Sequence, residues 1–430
     1  MDLEALDKWA KIKGIKVLGT GDFTHPEWLK NLKEKLRPAE PGLFKLAPNR
    51  PEHQRGTGEG LNSYTRFILT SEISCIYSKT GKVRKIHIIV FAPSFEIVDQ
   101  INASLNKIGN LKSDGRPILG LDAKELAKIV LEISKDCLVV PAHAWTPWFS
   151  IFGSKSGFNS IEECFGEYSK YIYAIETGLS SDPLMNWQLS ALDKIALISN
   201  SDAHSPQKIG REANVFDTEL SYQGIIDAIK EKNLSPPTSA KLWRARKFLY
   251  TVEFFPEEGK YHFDGHRACG ISLSPEESKK YNNICPNCGR PLVIGVLNRV
   301  AELADRPFDA GHSAELSRSH QGKPEGAIPF KSLVPLVEII SEVLGHGVGT
   351  KEVVKQYQNL TDKLGSEFDI LLKASAEDLK KATLPEIAEG IIRVREGKIS
   401  VEPGYDGVYG KVHILDKIEG KKPIKQGLLF

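Results

Sequence analysis

Six short apolar runs, each carrying or closing on a polar or chemically capable residue, constrain this chain more than any other feature. "IKVLGTGD" ends at Asp22, "RFILTSEIS" carries Glu72, "RKIHIIVFAP" runs to Pro93, "CLVVPAHAW" carries His143, "YIYAIETG" carries Glu176, and "KIALISNSDAH" closes on Asp202 and His204. Runs of this length rich in Ile, Val and Leu read as buried strands. Helical patterns stand between them: "HPEWLKNLKEKL" follows the first run and "FEIVDQINASLNKIG" the third, the latter with apolar residues near the 3.6 spacing. The alternation predicts an α/β fold with parallel strands. In barrels of that kind, side chains at the carboxyl ends of strands converge on one mouth.

The polar residues at these ends have a common chemistry. Asp22 and His25 lie three apart in "GTGDFTHPEW" behind two glycines, and Glu72, His143, Glu176, Asp202 and His204 come from other strands. Oxygen and nitrogen donors of this mixture, without thiolates, suit two divalent ions of the Zn, Mn or Mg type in hydrolytic sites. Any one of these acids could instead cap a helix, and any one histidine could fill a polar pocket. Placement of the whole set at strand ends favours the metal reading.

At 430 residues the chain exceeds one ordinary domain, and 41% hydrophobic with 26% charged residues is ordinary globular chemistry. No apolar run approaches the ~18 residues of a membrane span, and the charged opening "MDLEALDKWAKIKGIKV" reads as a helix rather than a signal peptide. The expected location is therefore cytoplasmic. A net charge of +2 neither demands nor excludes a nucleic-acid partner. Three units are expected: residues 1–235, a catalytic α/β unit; 236–327, a small zinc module opened by the Pro- and Ser-punctuated "NLSPPTSAKLW"; and 328–430, a mostly helical unit beginning with "IPFKSLVPLVEIISEVLG" and ending in one or two strands at "YDGVYGKVHIL".

The six cysteines divide in two. Cys75, Cys137 and Cys164 are scattered in apolar surroundings and read as packing thiols. Cys269, Cys285 and Cys288 cluster, and with His266 they make an H-x2-C and a C-x2-C knuckle, the pattern of a tetrahedral structural zinc. His262 is the rival fourth ligand. Such an ion folds its module and performs no reaction, because four protein ligands leave no open position.

Nucleic-acid features are local. "AKLWRARKF" sets Lys241, Arg244, Arg246 and Lys247 around Trp243 and Phe248, a mixture that could hold phosphates and stack a base, or could be a solvated helix face. "AWTPWFSIFG" places Trp145, Trp148 and Phe149 just after His143, as walls of a pocket for an everted base or as a hydrophobic plug. Residues 52–64, "EHQRGTGEGLNSY", form a Gly-rich segment before the Glu72 strand.

Taken together, "GTGDFTH", "TSEIS", "VVPAHAW", "IETG" and "SNSDAHSP" resemble the successive metal motifs of the PHP family of phosphoesterases. With "GHRACG", "CPNCGRPLVIGVLNRVAELADRP" and "PGYDGVYG", nearly the whole chain resembles the endonuclease Q branch, which nicks DNA on the 5′ side of deaminated bases. The resemblance implies a distorted (β/α)7 barrel, a DNA substrate containing uracil, hypoxanthine or xanthine, and metal-assisted hydrolysis. It also implies Asp22, His25, Glu72, His143, Glu176, Asp202 and His204 as metal ligands, all but Glu176 being assigned to catalysis. A sliding clamp is a candidate partner. The family pattern opens with a strand bearing His-x-His, whereas this sequence opens with "MDLEALDKWAKIKG". The expectation is thus a barrel without its first strand, with three readings of the cause: a start codon read at an internal Met, which is favoured, a truncated chain, or a natural chain with impaired catalysis. Two rival readings are a small-molecule phosphatase of the same family and a DNA-binding protein whose catalysis is impaired.

Overall fold

The computed structural model describes residues 2–47, 65–113, 115–231, 246–306 and 323–415. The Gly-rich segment 52–64, the residues Lys241, Trp243 and Arg244, and the expected boundary at 235 lie outside them. Helix α1 (Leu3–Lys13) starts at Asp2, whose carboxylate accepts the Ala5 N–H, and stops at Gly14, whose φ of 87° suits glycine. Strand β1 (Val17–Gly19) leads through Asp22 into α2 (Pro26–Lys35), with Pro26 in its first turn, and strands β2 (Leu36–Pro38) and β3 (Phe44–Leu46) follow.

The main sheet has seven strands and is built on one long hairpin. Strands β4 (Arg66–Lys79) and β5 (Lys82–Ala92) are antiparallel, joined by Thr80 and Gly81 at φ 52° and 75°. Two successive positive φ values give the turn whose twist matches that of paired strands. The expected run of parallel strands is corrected here: Thr-Gly between two apolar runs turns the chain back at once, too soon for the crossover that parallel pairing needs. Strand β6 (Ile118–Leu119) pairs parallel to β4, as does β1, while β7 (Leu138–Pro141) pairs antiparallel to β5. Strands β8 (Ala174–Glu176) and β9 (Ala196–Ile198) form a separate parallel pair. The fold is α/β, with strand directions mixed.

Helices α3 (Phe95–Leu105) and α4 (Ala123–Ile133) begin at Ser94 and Asp122, each accepting a first-turn N–H. Their apolar faces, Val98, Ile101 and Leu105 with Leu126 and Val130, are fully buried in a core with Ile73, Ile86 and Ile88 of the hairpin. Cys75, Cys137 and Cys164 are buried as expected, and burial pushes all three thiols up. Strands β10 (Ala213–Thr218), β11 (Arg246–Glu253) and β14 (Phe330–Ser332) make a second sheet, and β12 (Asp264–His266) and β13 (Ile271–Leu273) a small hairpin.

The last part is helical, as expected: Leu336–Leu344, Lys351–Leu364, Glu367–Leu372, Ala376–Ala382 and Pro385–Arg395 bury Ile339, Ile340, Leu360, Ile387 and Ile391 together, and the strands β15 (Ser400–Glu402) and β16 (Lys411–His413) follow. Helix α1 is locked to this bundle by Lys13, 2.6 Å from Glu367 with both side chains 3% exposed, while the Tyr357 hydroxyl donates to the same carboxylate at 2.6 Å. Removing one partner of such a pair strands a buried charge, at a cost of roughly 3–5 kcal/mol. No helix among the described residues is long and apolar enough to cross a membrane.

Candidate metal centre

Strand register builds the centre. Glu72 pairs with Ile89 and Ser74 with His87, so Glu72 and His87 are diagonal neighbours on one face of the β4–β5 hairpin. Strand β7 ends beside them: Ile88 pairs with Pro141, and the Ala142 N–H donates to the His87 carbonyl at 3.0 Å, which brings His143 to the same level. As a result His87 Nδ1 lies 2.9 Å from Glu72 Oε1, His143 Nε2 lies 3.3 Å from the same oxygen, and the two imidazoles approach to 3.1 Å. Three donor atoms meeting on one point suit a divalent cation of the Zn or Mn type.

A fourth group enters from the flank. Arg116 Nη1 is 2.9 Å from Glu72 Oε1 and also meets His87 Nδ1, while Nη2 is 4.0 Å from Asp202 Oδ1. Asp202 in turn is 3.5 Å from His204 Nε2. Burial pushes Asp22 up and the Glu72 charge adds to it, against Arg116, His25 and His204. Burial also acts on Glu72, but the hydrogen bonds from His143 and His87 outweigh it and hold this carboxylate well below its ordinary range. His87 is pushed down to about 4, chiefly by burial, so it is neutral near pH 7 and offers a lone pair. His143 moves up instead: burial opposes its charge, yet the hydrogen bond to Glu72 wins.

The backbone is strained at this mouth. Asp22, His143, Phe149 and Asp202 have φ of 42°, 30°, 64° and 42°, conformations that side chains adopt at a cost and that concentrate at functional sites. Gly178 of "IETG" makes the His143 conformation fit, since a Cβ there would lie 2.6 Å from the His143 Cβ. The Asp202 loop is held by Arg211, which donates to the carbonyls of Ser201 and Asp202 at 2.8 and 3.1 Å.

Of the expected ligands, Glu72 and His143 touch, Asp202 and His204 touch each other, and Asp22 faces Glu72 and His204 electrostatically. His25 is the N-cap of α2, its Nδ1 accepting the Trp28 N–H at 3.4 Å. Glu72 lies in the middle of β4 rather than at its end. Glu176 stands behind the centre: its oxygens accept the His143 backbone N–H at 2.8 Å and the Asn200 amide at 2.9 Å, and burial pushes it up to about 7. His87 and Arg116 were missed by reasoning from sequence. The Thr-Gly turn was the available signal for His87, because it fixes the register that sets His87 beside Glu72.

Of the expected substrate contacts, Trp145 belongs to the core: it is 1% exposed and its indole N–H donates to Asn186 at 2.8 Å, so it cannot wall an open pocket. Trp148 is half-buried and meets Tyr261 edge to face at 5.8 Å, and Phe149 packs on the His87 ring at 4.7 Å. Arg246 opens β11, in register with Thr218.

The second cluster brings together the expected His266, Cys269, Cys285 and Cys288, with donor atoms within 4.8 Å of one another. Gly289, at φ 69°, lets its N–H turn back to the Cys285 carbonyl at 2.9 Å and closes the knuckle. Burial opposes the Cys285 thiolate, but N–H groups of Asn287 and Cys288 point at it and bring it down to about 7. Three thiolates and an imidazole fit a closed tetrahedral zinc. His262, the rival, is buried and stacked on Phe263 at 5.5 Å, outside this group.

The helix Val296–Leu303 ties this module to the main unit. Its Arg299 guanidinium donates to the carbonyls of Phe152 at 2.9 Å and Phe158 at 3.1 Å and to Asn159 at 2.7 Å, while Asn298 and the Gly295 N–H hold Asp264 at 2.5 and 2.6 Å.

Comparison with known proteins gives matches over both halves of the chain. Residues 188–234 match a family model described as PHP-associated, and residues 335–398 match the MJ0043 C-terminal domain. An uncharacterized protein, MJ0043 of Methanocaldococcus jannaschii, is 34% identical over 272 residues, covering 63% of this chain and 31% of the relative, so the chain spans about a third of that protein's length. The uncharacterized protein YqxK of Bacillus subtilis is 28% identical over 408 residues, covering 93% and 89%. Among solved structures, the lesion-specific endonuclease PfuEndoQ of Pyrococcus furiosus superposes with a TM-score of 0.79 at 29% identity, covering 98% of this chain and 93% of that one. A complex of endonuclease Q with a 27-mer duplex bearing an abasic lesion at the active site matches equally, at a TM-score of 0.79 and 29% identity over 99% and 95%. Across nearly its whole length, mouth and thiolate module included, the chain is a structural relative of endonuclease Q.

Proposed function

We propose that this protein is a metal-dependent DNA endonuclease of repair, hydrolysing the phosphodiester on the 5′ side of a deaminated base: uracil, hypoxanthine or xanthine. The observation that carries the reading is the convergence of Glu72, His87 and His143 on one point, within a fold that follows the lesion-specific endonuclease over 98% of the chain. Asp22, His25, Asp202 and His204, with Glu72 and His143, are the proposed catalytic ligands. Glu176 fixes the His143 backbone and Asn200 rather than holding an ion itself.

Divalent ions of the Zn, Mn or Mg type, when bound there, would supply Lewis acidity toward a phosphodiester and its attacking water. The chain's own residues do the rest. Neutral His87 and ionised Glu72 present lone pairs, the strained loops at Asp22, His143 and Asp202 fix the direction of approach, and Trp148 and Phe149 at the rim offer apolar surface to a flipped base. Arg246 and Lys247 supply positive charge for the backbone phosphates, together with Lys241 and Arg244. A zinc on His266, Cys269, Cys285 and Cys288 is structural. The boundary at 327 draws support from the separate core under the C-terminal helices, and a barrel-like reading of the first unit from the PHP-associated match; the division at 235 belongs to the same proposal, with Val296, Leu297 and Val300 of the zinc module packed into the core of the first unit. A cytoplasmic location and a sliding-clamp partner belong to the same proposal.

The test is direct. End-labelled duplexes containing uracil, hypoxanthine, xanthine or an abasic site are incubated with the chain and Mn, Mg or Zn. One cut 5′ to the deaminated base, absent from the normal duplex, is the expected result. Hydrolysis of a chromogenic phosphate ester with intact duplexes would sink the reading in favour of a small-molecule phosphatase, and tight uracil-DNA binding without a cut in favour of a DNA-binding protein.

A further inference from the structure

Arg116 is positioned by the same register that builds the centre. Strand β6 runs parallel to β4 with Ile118 opposite Ser74, and the Ser74 N–H donates to the Pro117 carbonyl at 2.9 Å. Extending that pairing back by two residues sets Arg116 level with Glu72 on the same side of the sheet, since side chains alternate with period two. The side chain is only 25% exposed. Its Nη1 approaches both Glu72 Oε1, at 2.9 Å, and His87 Nδ1, and these are two of the three donor atoms of the candidate metal group. A guanidinium has donors and no lone pair, so the Glu72 lone pair it occupies is withdrawn from a metal ion, and its contact with His87 Nδ1 crowds the same point. Like charges confined to one small, partly buried volume also repel.

We propose that Arg116 is a built-in counter-cation: its guanidinium and a divalent ion are alternative occupants of the Glu72–His87–His143 group, and ion binding must expel the arginine. This rests on reading the mouth as a cation site. Without an ion the guanidinium neutralises Glu72 and keeps the group compact. With one it is displaced, and the fork is free to face an anionic substrate.

The test uses the full chain with its thiolate module preloaded with zinc, and Mn2+ as probe, because thiolates select softer metals. Mn2+ binding is followed by the electron paramagnetic resonance signal of the free ion for wild type, Arg116→Gln, Arg116→Lys and Glu72→Gln. Arg116→Gln is expected to bind Mn2+ about tenfold more tightly than wild type, a difference of about 1.4 kcal/mol, and Arg116→Lys, whose flexible point charge can withdraw, to fall between. Thermal melting adds a second reading: Arg116→Gln should melt below wild type without divalent ions, and the gap should close at saturating Mn2+. Equal or weaker Mn2+ binding by Arg116→Gln overturns the proposal. If wild type binds Mn2+ and Glu72→Gln abolishes it while Arg116→Gln changes nothing, the inference alone fails. If Glu72→Gln leaves Mn2+ binding untouched, the reading of the mouth falls with it.

Discussion

The two donor clusters of this chain are opposites in construction. The thiolate cluster is assembled from near neighbours in sequence, His266 with Cys269 and Cys285 with Cys288, on tight knuckles whose geometry is local. The mouth is assembled from Glu72, His87, Arg116 and His143, which meet only because three strand pairings put them level. One is closed by four donors of its own, the other carries a guanidinium among its donors and strained loops around it. A site that must only fold can be local and complete. A site that must bind, react and release draws on distant segments whose arrangement the whole domain enforces.

That contrast can be broken by substitution, and the largest effect is expected at the mouth. Glu72→Gln should lower the rate of cutting of a uracil-containing duplex by roughly 10³-fold while the chain keeps its thiolate zinc. A loss under tenfold in single-turnover kinetics would remove Glu72 from the chemistry. Cys285→Ser should act in the reverse sense, costing roughly 4 kcal/mol of stability and one equivalent of zinc per chain, measured by denaturant unfolding and a chromogenic zinc indicator. A chelator such as EDTA sharpens the same divide: brief treatment should stop cutting reversibly, restored by Mn2+, before the thiolate zinc is released.

Acidity should separate the two regions as well. Burial pushes Glu176 and Glu253 up to about 7, and Glu212 is raised by burial and by the Glu253 charge. The folded chain therefore holds protons there that the unfolded chain releases above its ordinary carboxylate range. Stability contributed in this way is full at low pH and is lost as pH rises from about 4.5 to about 7. Glu253→Gln should remove its share of that slope, raising the melting temperature by about 2–4 °C at pH 8 relative to its effect at pH 5. An unchanged profile would show that these acids are ionised in the fold. The smallest effect is expected at the rim, where Trp148→Ala should raise KM for the lesion duplex by about fivefold with kcat little changed.

How much of this was legible depends on distance along the chain. The thiolate cluster was readable because its spacing is its geometry. Asp22, His143, Asp202 and His204 could be proposed because each follows an apolar run within a few residues, and of these His143 enters the donor group with Glu72 and His87. His87 was not legible, since within "IHIIVF" it is one polar residue among apolar ones, and only the turn at Thr80 and Gly81 reveals that it faces Glu72. Arg116 has no local signal, and its place follows from a two-residue strand. Trp145 failed for another reason: proximity to His143 in sequence says nothing of which way an indole points, and the Asn186 partner that draws it inward lies 41 residues away. Strand direction is not legible in the alternation of apolar runs and helical patterns, because the single turn at Thr80 and Gly81 reverses the chain into an antiparallel hairpin.

The Arg299 fork joins these regions by a splint. It spans the zinc module and two carbonyls, those of Phe152 and Phe158, that bracket the segment following Trp148 and Phe149. Loosening the thiolate knuckle would leave Glu72, His87 and Arg116 aligned by their sheet, yet slacken the aromatic shoulder over His87. On the proposed reading, oxidation at the exposed sulfur of Cys288 would release the zinc and weaken the hold on a flipped base some distance away, while the Glu72–His87–His143 group stays in place.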